Sequence, residues 1–338
     1  MTITNAEIAA RLADRFAMTA NDELVRLYPD DTGGFVDGNF DSWQVGTSFS
    51  LSAATDTYTA DMWVCNAGTG GAATVSQDTP AVGTEIAAMT RGRKYRLKYQ
   101  QTTNATASPT IGQKLEGVQQ YNGQSVTVQG VFAAAAAATL VVGVQATQNF
   151  GTGGSPSSSV VTSKTVAWAI GTTEAKFSVR LDIPSISGKT LGTNGNDFVR
   201  IDLLLATGAT FTLYSSQIQI DVANSTASGD TTGAGGTPMP FRYRGLGLEL
   251  TRVYRYVVAS TMPTGYAWAS ATAAGFFITL PAVMRKAPAG SITSGPTYSN
   301  TSALAVSTTY PNYAQFTFNS SAAGGYFYGW TTLFDARL

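Results

Sequence analysis

The sequence predicts a mainly β protein, on three observations. Apolar residues recur every second position in many short runs. Clusters of Gly, Ser, Thr and Asn punctuate those runs at spacings that suit turns. Helical periodicity is confined to a few short segments. With 338 residues the chain is long enough for two domains. At 43% hydrophobic content it has the material for a packed core, and disorder is not expected.

Taken in order, residues 1–36 read as an N-terminal helical anchor. Thr4-Asn5-Ala6-Glu7 has the form of a capping box. Ile8, Leu12 and Phe16 then fall four apart on one apolar stripe, with Ala9 and Ala13 beside them. That stripe serves equally as a face folded back on the chain's own β-domain or as an oligomer seam and plug into a larger particle. Asp22 to Leu27 is a second short helical candidate, stopped by Tyr28-Pro29 and Gly33-Gly34.

From residue 37 to 224 the period is two. Asp37-Gly38-Asn39 signals a turn, and Phe40, Ser42, Val45 and Phe49 are expected to open a first strand. Tyr58, Met62 and Val64, then Tyr95, Leu97 and Tyr99, alternate in and out. Val126, Val128 and Phe132 share one face, as do Leu140, Val142 and Val144, with Ala133 to Ala138 as the connection between them. Gln148-Asn149-Phe150-Gly151-Thr152-Gly153-Gly154-Ser155-Pro156-Ser157 reads as a long hairpin loop between the runs at Leu140 to Gln145 and Val160 to Trp168. Its glycines do not make a phosphate cradle, because no Lys-Ser or Lys-Thr pair follows at that spacing and Pro156 lacks an amide donor. Further runs follow at Ala175 to Leu181, Val199 to Leu205 and Gln217 to Val222, the last with Ile218 and Ile220 inward. About eight strands at these spacings fit a jelly-roll β-sandwich.

Residues 225–261 read as a linker and short helix. Asn224 to Pro240 is polar and glycine-rich, and Leu246, Leu250, Val253, Tyr254 and Val257 then give a helical stripe among four arginines. Residues 262–338 form a smaller β-module, with runs at Phe276 to Leu280, Ala303 to Ser307, Gln315 to Phe318 and Tyr326 to Phe334. No repeat of solenoid period is present.

Four of these stretches together resemble one family: GNFDSWQVGTSF from Gly38, NFGTGGSPSSSV from Asn149, PSISGKTLGTNGNDFVRIDLLL from Pro184 and RYRGLGLELTRVYRY from Arg242. It is the family of tailed-phage and prophage tail or fibre proteins that carry a jelly-roll domain similar to carbohydrate-binding modules. The resemblance spans Gly38 to Tyr256 in matching order and extends to the ending FDARL. It implies a virion protein assembled in the host cytoplasm, a homotrimer, with other virion proteins met through the N-terminal segment and a host-surface glycan as ligand. Gly245-Leu246-Gly247 stands where relatives show a proline-containing turn, which leaves the linker geometry open.

Composition excludes much chemistry. The formal net charge is zero and 12% of residues are charged, so no basic stripe suits a nucleic acid. The chain has no histidine, which removes the commonest general base and rules out a Ser-His-Asp or Cys-His arrangement within it. Cys65 is the single cysteine and is expected as a buried small hydrophobe. No secretory signal is evident, and the longest apolar run, Val131 to Val144, is too short to span a bilayer, so membrane insertion is not expected.

Candidate sites remain. Asp37, Asn39 and Asp41 offer oxygens for calcium, but their spacing lacks the glycine and terminal Glu of an EF-hand loop, and turn capping is the expected role. No metal or cofactor is therefore expected. Asp182, Asp197, Asp202 and Asp221 are the acids from which a polysaccharide-degrading spike would draw a carboxylate pair. Glycan binding calls for flat aromatic faces, which Tyr310, Tyr313, Tyr326, Tyr328 and Trp330 supply, although aromatics in β-domains serve more often as core. The expectation is a non-enzymatic fibre or spike on tail or head that binds a host glycan; the alternatives are a carboxylate-pair depolymerase and a purely structural joining protein.

Overall fold

The computed structural model describes residues 34–81, 93–222, 241–262, 265–267, 273–295, 297–299, 304–319, 325–328 and 330–338. The anchor stripe of Ile8, Leu12 and Phe16 and the polar linker before Phe241 lie outside the described residues.

Two six-stranded antiparallel sheets form the larger unit. The first runs in the order β1 (Ser48–Ser52), β4 (Ala72–Asp78), β5 (Arg96–Thr103), β12 (Phe211–Val222), β7 (Ser125–Ala134) and β10 (Ala175–Asp182). The second runs β2 (Thr57–Tyr58), β3 (Trp63–Asn66), β6 (Thr110–Glu116), β11 (Phe198–Leu205), β8 (Ala138–Asn149) and β9 (Val160–Ile170). Without the two strands added at one edge of each, what remains is β5-β12-β7-β10 facing β6-β11-β8-β9. Successive strands then change sheet at every step except the β8–β9 hairpin, which is the double Greek key of a jelly roll. The sandwich expected from strand spacing is therefore present, with four further strands at its edges.

Alternation decides what fills it. Val75, Leu97, Tyr99, Val126, Val128 and Phe132 from one sheet meet Trp63, Ile111, Val144, Val199 and Ile201 from the other, all buried. Ile218 and Ile220 are buried as expected, and so is Cys65, whose thiol burial raises to about 12. Near the β9 edge Phe132, Trp168 and Phe177 form an aromatic cluster with centroids 5.4 to 6.2 Å apart. The shared face expected for Leu140, Val142 and Val144 is not kept. β8 shifts register twice against β9, and the bulges put Val141 in the core and leave Val142 half-buried.

The first strand also differs from expectation. Residues 40–47 are irregular and β1 begins at Ser48. Here the backbone donors go to carboxylates instead of a neighbouring strand: Asp41 and Ser42 donate to Asp37 at 2.8 and 2.9 Å, and Gln44 to Asp61 at 2.8 Å. Phe40, at φ 59°, turns inward against Trp63, with centroids 4.9 Å apart.

Two of the stretches behind the family resemblance meet at one end of the sandwich. The β8–β9 loop and residues 190–197 pair by backbone, with Gly192 donating to Phe150 (2.7 Å), Thr193 to Gly153 (3.2 Å) and Asn194 to Thr152 (3.1 Å). Asn196 accepts from the Thr152 amide at 2.8 Å. This close approach needs a glycine, because a Cβ on Gly192 would lie 2.4 Å from the Thr152 carbonyl oxygen.

The helix α1 (Leu246–Tyr254) follows Gly245, which takes φ 81° and accepts the Glu249 amide. Its buried residues are Glu249 and Val253. The expected stripe fails at both ends: Leu246 is 45% exposed and Val257 opens a strand. Glu249 takes the inward place because its carboxylate accepts the Asp37 amide at 3.0 Å and lies beside Arg244 and Arg252. Among the described residues no helix is long and apolar enough to cross a membrane.

The smaller module is β throughout. β13 (Val257–Met262), β21 (Trp330–Asp335) and β16 (Ala289–Ser294) form one three-stranded sheet, and β14 (Gly265–Ala267), β20 (Gly325–Tyr328) and β17 (Thr297–Ser299) form a second. β15 (Ala273–Thr279), β19 (Tyr313–Asn319) and β18 (Ala305–Thr309) form another. Phe316, Phe318, Trp330, Phe334, Leu280 and Met284 fill the space between them. A third cluster of Val36, Met62, Val253 and Val257 joins this module to the sandwich.

Gly192→Ala forces two backbones apart and is expected to cost ~1–3 kcal/mol. Gly247→Ala, in an open helical position with nothing within 4 Å of the new Cβ, is expected to raise stability by a few tenths to ~1 kcal/mol. Thermal denaturation of the two variants checks the opposite signs.

Candidate functional site

The surface of the β15-β19-β18 sheet gathers aromatic residues outside the core. Strand parity makes this unavoidable where Phe276 and Phe277 are adjacent: one faces in, the next faces out. Phe276 stacks on Phe316 within the core at 5.2 Å, with ring planes 8° apart. Phe277 is 64% exposed, and its cross-strand partner is Gln315.

Tyr310 and Tyr313 flank Pro311-Asn312 in the turn that joins β18 to β19. The Tyr310 amide donates to the Tyr313 carbonyl at 2.8 Å, closing the turn and setting the two residues opposite each other. Their rings stack with centroids 4.3 Å apart and planes at 22°. Phe277 meets Tyr313 edge-on at 5.7 Å. Tyr310 is 42% exposed and Tyr313 half-buried. The turn is held from below, where Leu280 donates to the Asn312 carbonyl at 3.0 Å and Met284 to the Pro311 carbonyl at 2.6 Å. Desolvation and the neighbouring Tyr310 hydroxyl raise the Tyr313 phenol above its ordinary 10.0, so it stays a neutral donor at physiological pH. The result is an amphipathic platform of three rings on a rigid sheet, suited to the apolar face of a flat ring ligand.

Of the expected glycan-binding residues, the structure brings Tyr310 and Tyr313 together. Phe277 was missed, although its pairing with Phe276 in an alternating run was the available signal. Trp330 is removed from the set: it is 1% exposed and its ring is enclosed by Phe316 at 4.8 Å and Phe276 at 6.1 Å. β21 directs Trp330, Thr332 and Phe334 inward, and the core takes the indole. Tyr326 and Tyr328 lie on β20, in a different sheet, paired with Tyr266 and Thr297 respectively.

The expected carboxylates are scattered and engaged. Asp182 accepts from Arg180 at 3.0 Å, and Asp197 accepts the Val118 amide at 2.7 Å. Asp221 pairs with Arg242. Asp202 is buried on the outward side of β11, 2.7 Å from Arg200 Nε, and Arg200 also holds Asp56. Burial pushes the Asp202 carboxyl up to about 6 against the pull of Arg200. Burial also acts to raise Asp56, but its bonds from Arg200 and Asn66 outweigh that and hold it below the usual range. A guanidinium between two acids is an ion-pair network, whereas glycoside hydrolysis needs the pair to face a shared sugar. Each oxygen of Asp37 accepts a backbone amide, which is the turn-capping role expected for it. Among the described residues no three acidic or cysteine side chains group to hold a metal.

No protein-family model and no curated protein matches the chain. Solved structures similar to it include the C-terminal family 22 carbohydrate-binding module of Clostridium thermocellum Xyn10B, at 15% identity over 59% of this chain and 99% of that one, with a TM-score of 0.33. The CBM22-1 xylan-binding domain of Paenibacillus barcinonensis Xyn10C matches at 13% identity over 53% and 95%, with a TM-score of 0.30. The enzymatically active domain of bacteriophage CBA120 tailspike protein 4 matches at 9% identity over 55% of this chain, with a TM-score of 0.29, and the match spans 20% of that domain. The assignment of the jelly roll rests on the strand order.

The pH dependence of Asp202 has a definite sign. Its folded value lies near 6 and its ordinary value at 3.8, so between them the folded state holds the extra proton and this group's contribution to stability falls as pH rises. Asp202→Asn cannot ionise. The stability of the original protein relative to this variant is expected to decline from about pH 4 to about pH 6 and then level off, as read by denaturant unfolding at several pH values.

Proposed function

We propose that this chain is a non-enzymatic virion protein of a tailed bacteriophage, a fibre or spike on tail or head, that holds a host-surface glycan on the Phe277–Tyr310–Tyr313 platform. The observation that carries the glycan reading is that exposed, mutually packed set of three rings on a braced turn. Exposed apolar rings cost solubility and add nothing to the core beneath them, so their retention on a rigid sheet favours recognition. The virion reading is supported by the resemblance of four sequence stretches to tail and fibre proteins. In that reading the chain is a homotrimer, the N-terminal segment meets other virion proteins, and assembly takes place in the host cytoplasm. Three copies then raise a weak single-site affinity by avidity. The dispersed and engaged state of Asp182, Asp197, Asp202 and Asp221 favours binding over hydrolysis.

The test is binding of the purified protein to extracted host surface polysaccharide, with reducing ends followed in the same samples. Tyr310→Ala and Phe277→Ala are each expected to weaken binding about tenfold, ~1.4 kcal/mol, without release of reducing ends. Binding unchanged in both variants would remove the platform from the reading, and released reducing ends would replace the binding protein with an enzyme.

A further inference from the structure

From residue 262 to residue 338 the chain holds four charged side chains, Arg285, Lys286, Asp335 and Arg337. They are engaged where the smaller module meets the sandwich. Arg285 Nη2 donates to the Gly195 carbonyl at 2.5 Å, and its Nε lies 3.4 Å from Glu116. Arg337 donates to the Asp61 carbonyl at 2.7 Å and holds Asp335 at 2.6 Å, and Lys286 acts on the same Asp335 carboxylate. The strands β15, β19 and β18 carry no charged side chain at all.

Beyond its rings, that sheet presents polar groups without charge. β19 is the central strand, and Tyr313, Gln315 and Thr317 share its outer face, each about 7 Å from the next. Gln315 pairs with Phe277 on one side and Thr308 on the other, so its amide stands beside the platform. Thr317 pairs with Gly275 and Ala305, which are too small to cover it. Among the described residues the Gln315 amide and the Thr317 hydroxyl have no hydrogen-bond partner. The face is a wall of rings at one end with a low polar floor leading away from it.

We propose that the platform is the first part of a longer site that takes an uncharged polysaccharide laid along β19, with one sugar on the Phe277, Tyr310 and Tyr313 rings and the following sugars bonded by Gln315 and Thr317. The inference rests on the glycan reading of the platform and adds the class of glycan. An acidic sugar docked here loses the water around its carboxylate and meets no cation in return. A neutral sugar brings hydroxyls, to which Gln315 offers both a donor and an acceptor and Thr317 adds a hydroxyl.

The experiment separates extracted host polysaccharide by anion exchange into neutral and acidic fractions, cuts each to fragments of graded length and titrates the full chain with them by calorimetry. Neutral fragments are expected to bind at least about tenfold more tightly than acidic ones, with affinity rising with length. Gln315→Met and Thr317→Val keep the bulk of each side chain and remove its hydrogen bonds. Each is expected to weaken the longer neutral fragments about three- to tenfold and to leave the shortest unchanged, whereas Tyr310→Ala weakens both. Acidic fragments that bind as tightly as neutral ones or more so, and are lost in Tyr310→Ala, would overturn the proposal and leave the platform standing. Neutral binding that both Gln315→Met and Thr317→Val spare would do the same. Failure of both fractions to bind would remove the platform and this extension together. A sedimentation coefficient that changes in Thr317→Val would make the face a contact between copies of the chain and would also overturn the proposal.

Discussion

The structure depends on a buried polar clasp at one end of the sandwich. Gln113, on the core side of β6 and 0% exposed, uses its side-chain amide as a strand would use its backbone. It accepts from the Val36 amide at 2.7 Å and donates to the Val36 carbonyl at 2.8 Å. One residue on, the Asp37 amide donates to Glu249 of α1 and the Asp37 carbonyl accepts from Trp63 Nε1 at 3.1 Å. Each such bond contributes roughly 1 kcal/mol net, but losing one partner leaves a buried group unpaired at a cost of roughly 1–3 kcal/mol. The set therefore fixes position more than it adds stability. Segment 34–40, sheet and helix can meet in only one register.

That register carries through to the smaller module. Once Glu249 is drawn inward, Val253 and Val257 land on Val36 and Met62, and β13 leaves the helix at a defined angle. The chain's last residues return to the same region. Arg337 donates to the Asp61 carbonyl at 2.7 Å and lies over the Tyr58 ring at 4.2 Å, and the Tyr58 hydroxyl donates to the Leu338 carbonyl at 2.5 Å. Burial there pushes the Tyr58 phenol up to about 12. The module is thus fastened at both of its ends, by an apolar cluster at its entry and by polar contacts at its exit. The aromatic platform sits on a sheet that inherits this rigidity, and a preorganised face loses less entropy when a ligand docks.

The acids illustrate how burial and pairing separate structure from chemistry. Asp37 is raised well above its ordinary value by burial, and two backbone amides offset only part of that. Asp202 is raised by the same cause. Here one closes a turn and the other is clamped on an arginine, and the perturbation is the cost of position.

Alternation in the sequence by itself determined the β class and the loop between β8 and β9, because a period of two survives any choice of neighbours, whereas the jelly roll is fixed by the order in which the strands pair. Tyr310 and Tyr313 were legible as aromatics of the smaller module, and their stacking across the turn at Pro311 is a product of the fold. What alternation leaves open is which of two faces is inward, and that is decided only when a strand meets its partner. Phe276 and Phe277 are indistinguishable in the chain, and the ladder with Phe316 and Gln315 separates them. Trp330 reads as a binding residue until β21 turns it onto Phe316. The bulges in β8 and the inward turn of Glu249 belong to the same class, since both answer to hydrogen-bond partners more than a hundred residues away or on a neighbouring strand. Hydrophobic pattern is local and written in the chain; the satisfaction of buried polar groups is a property of the assembled fold.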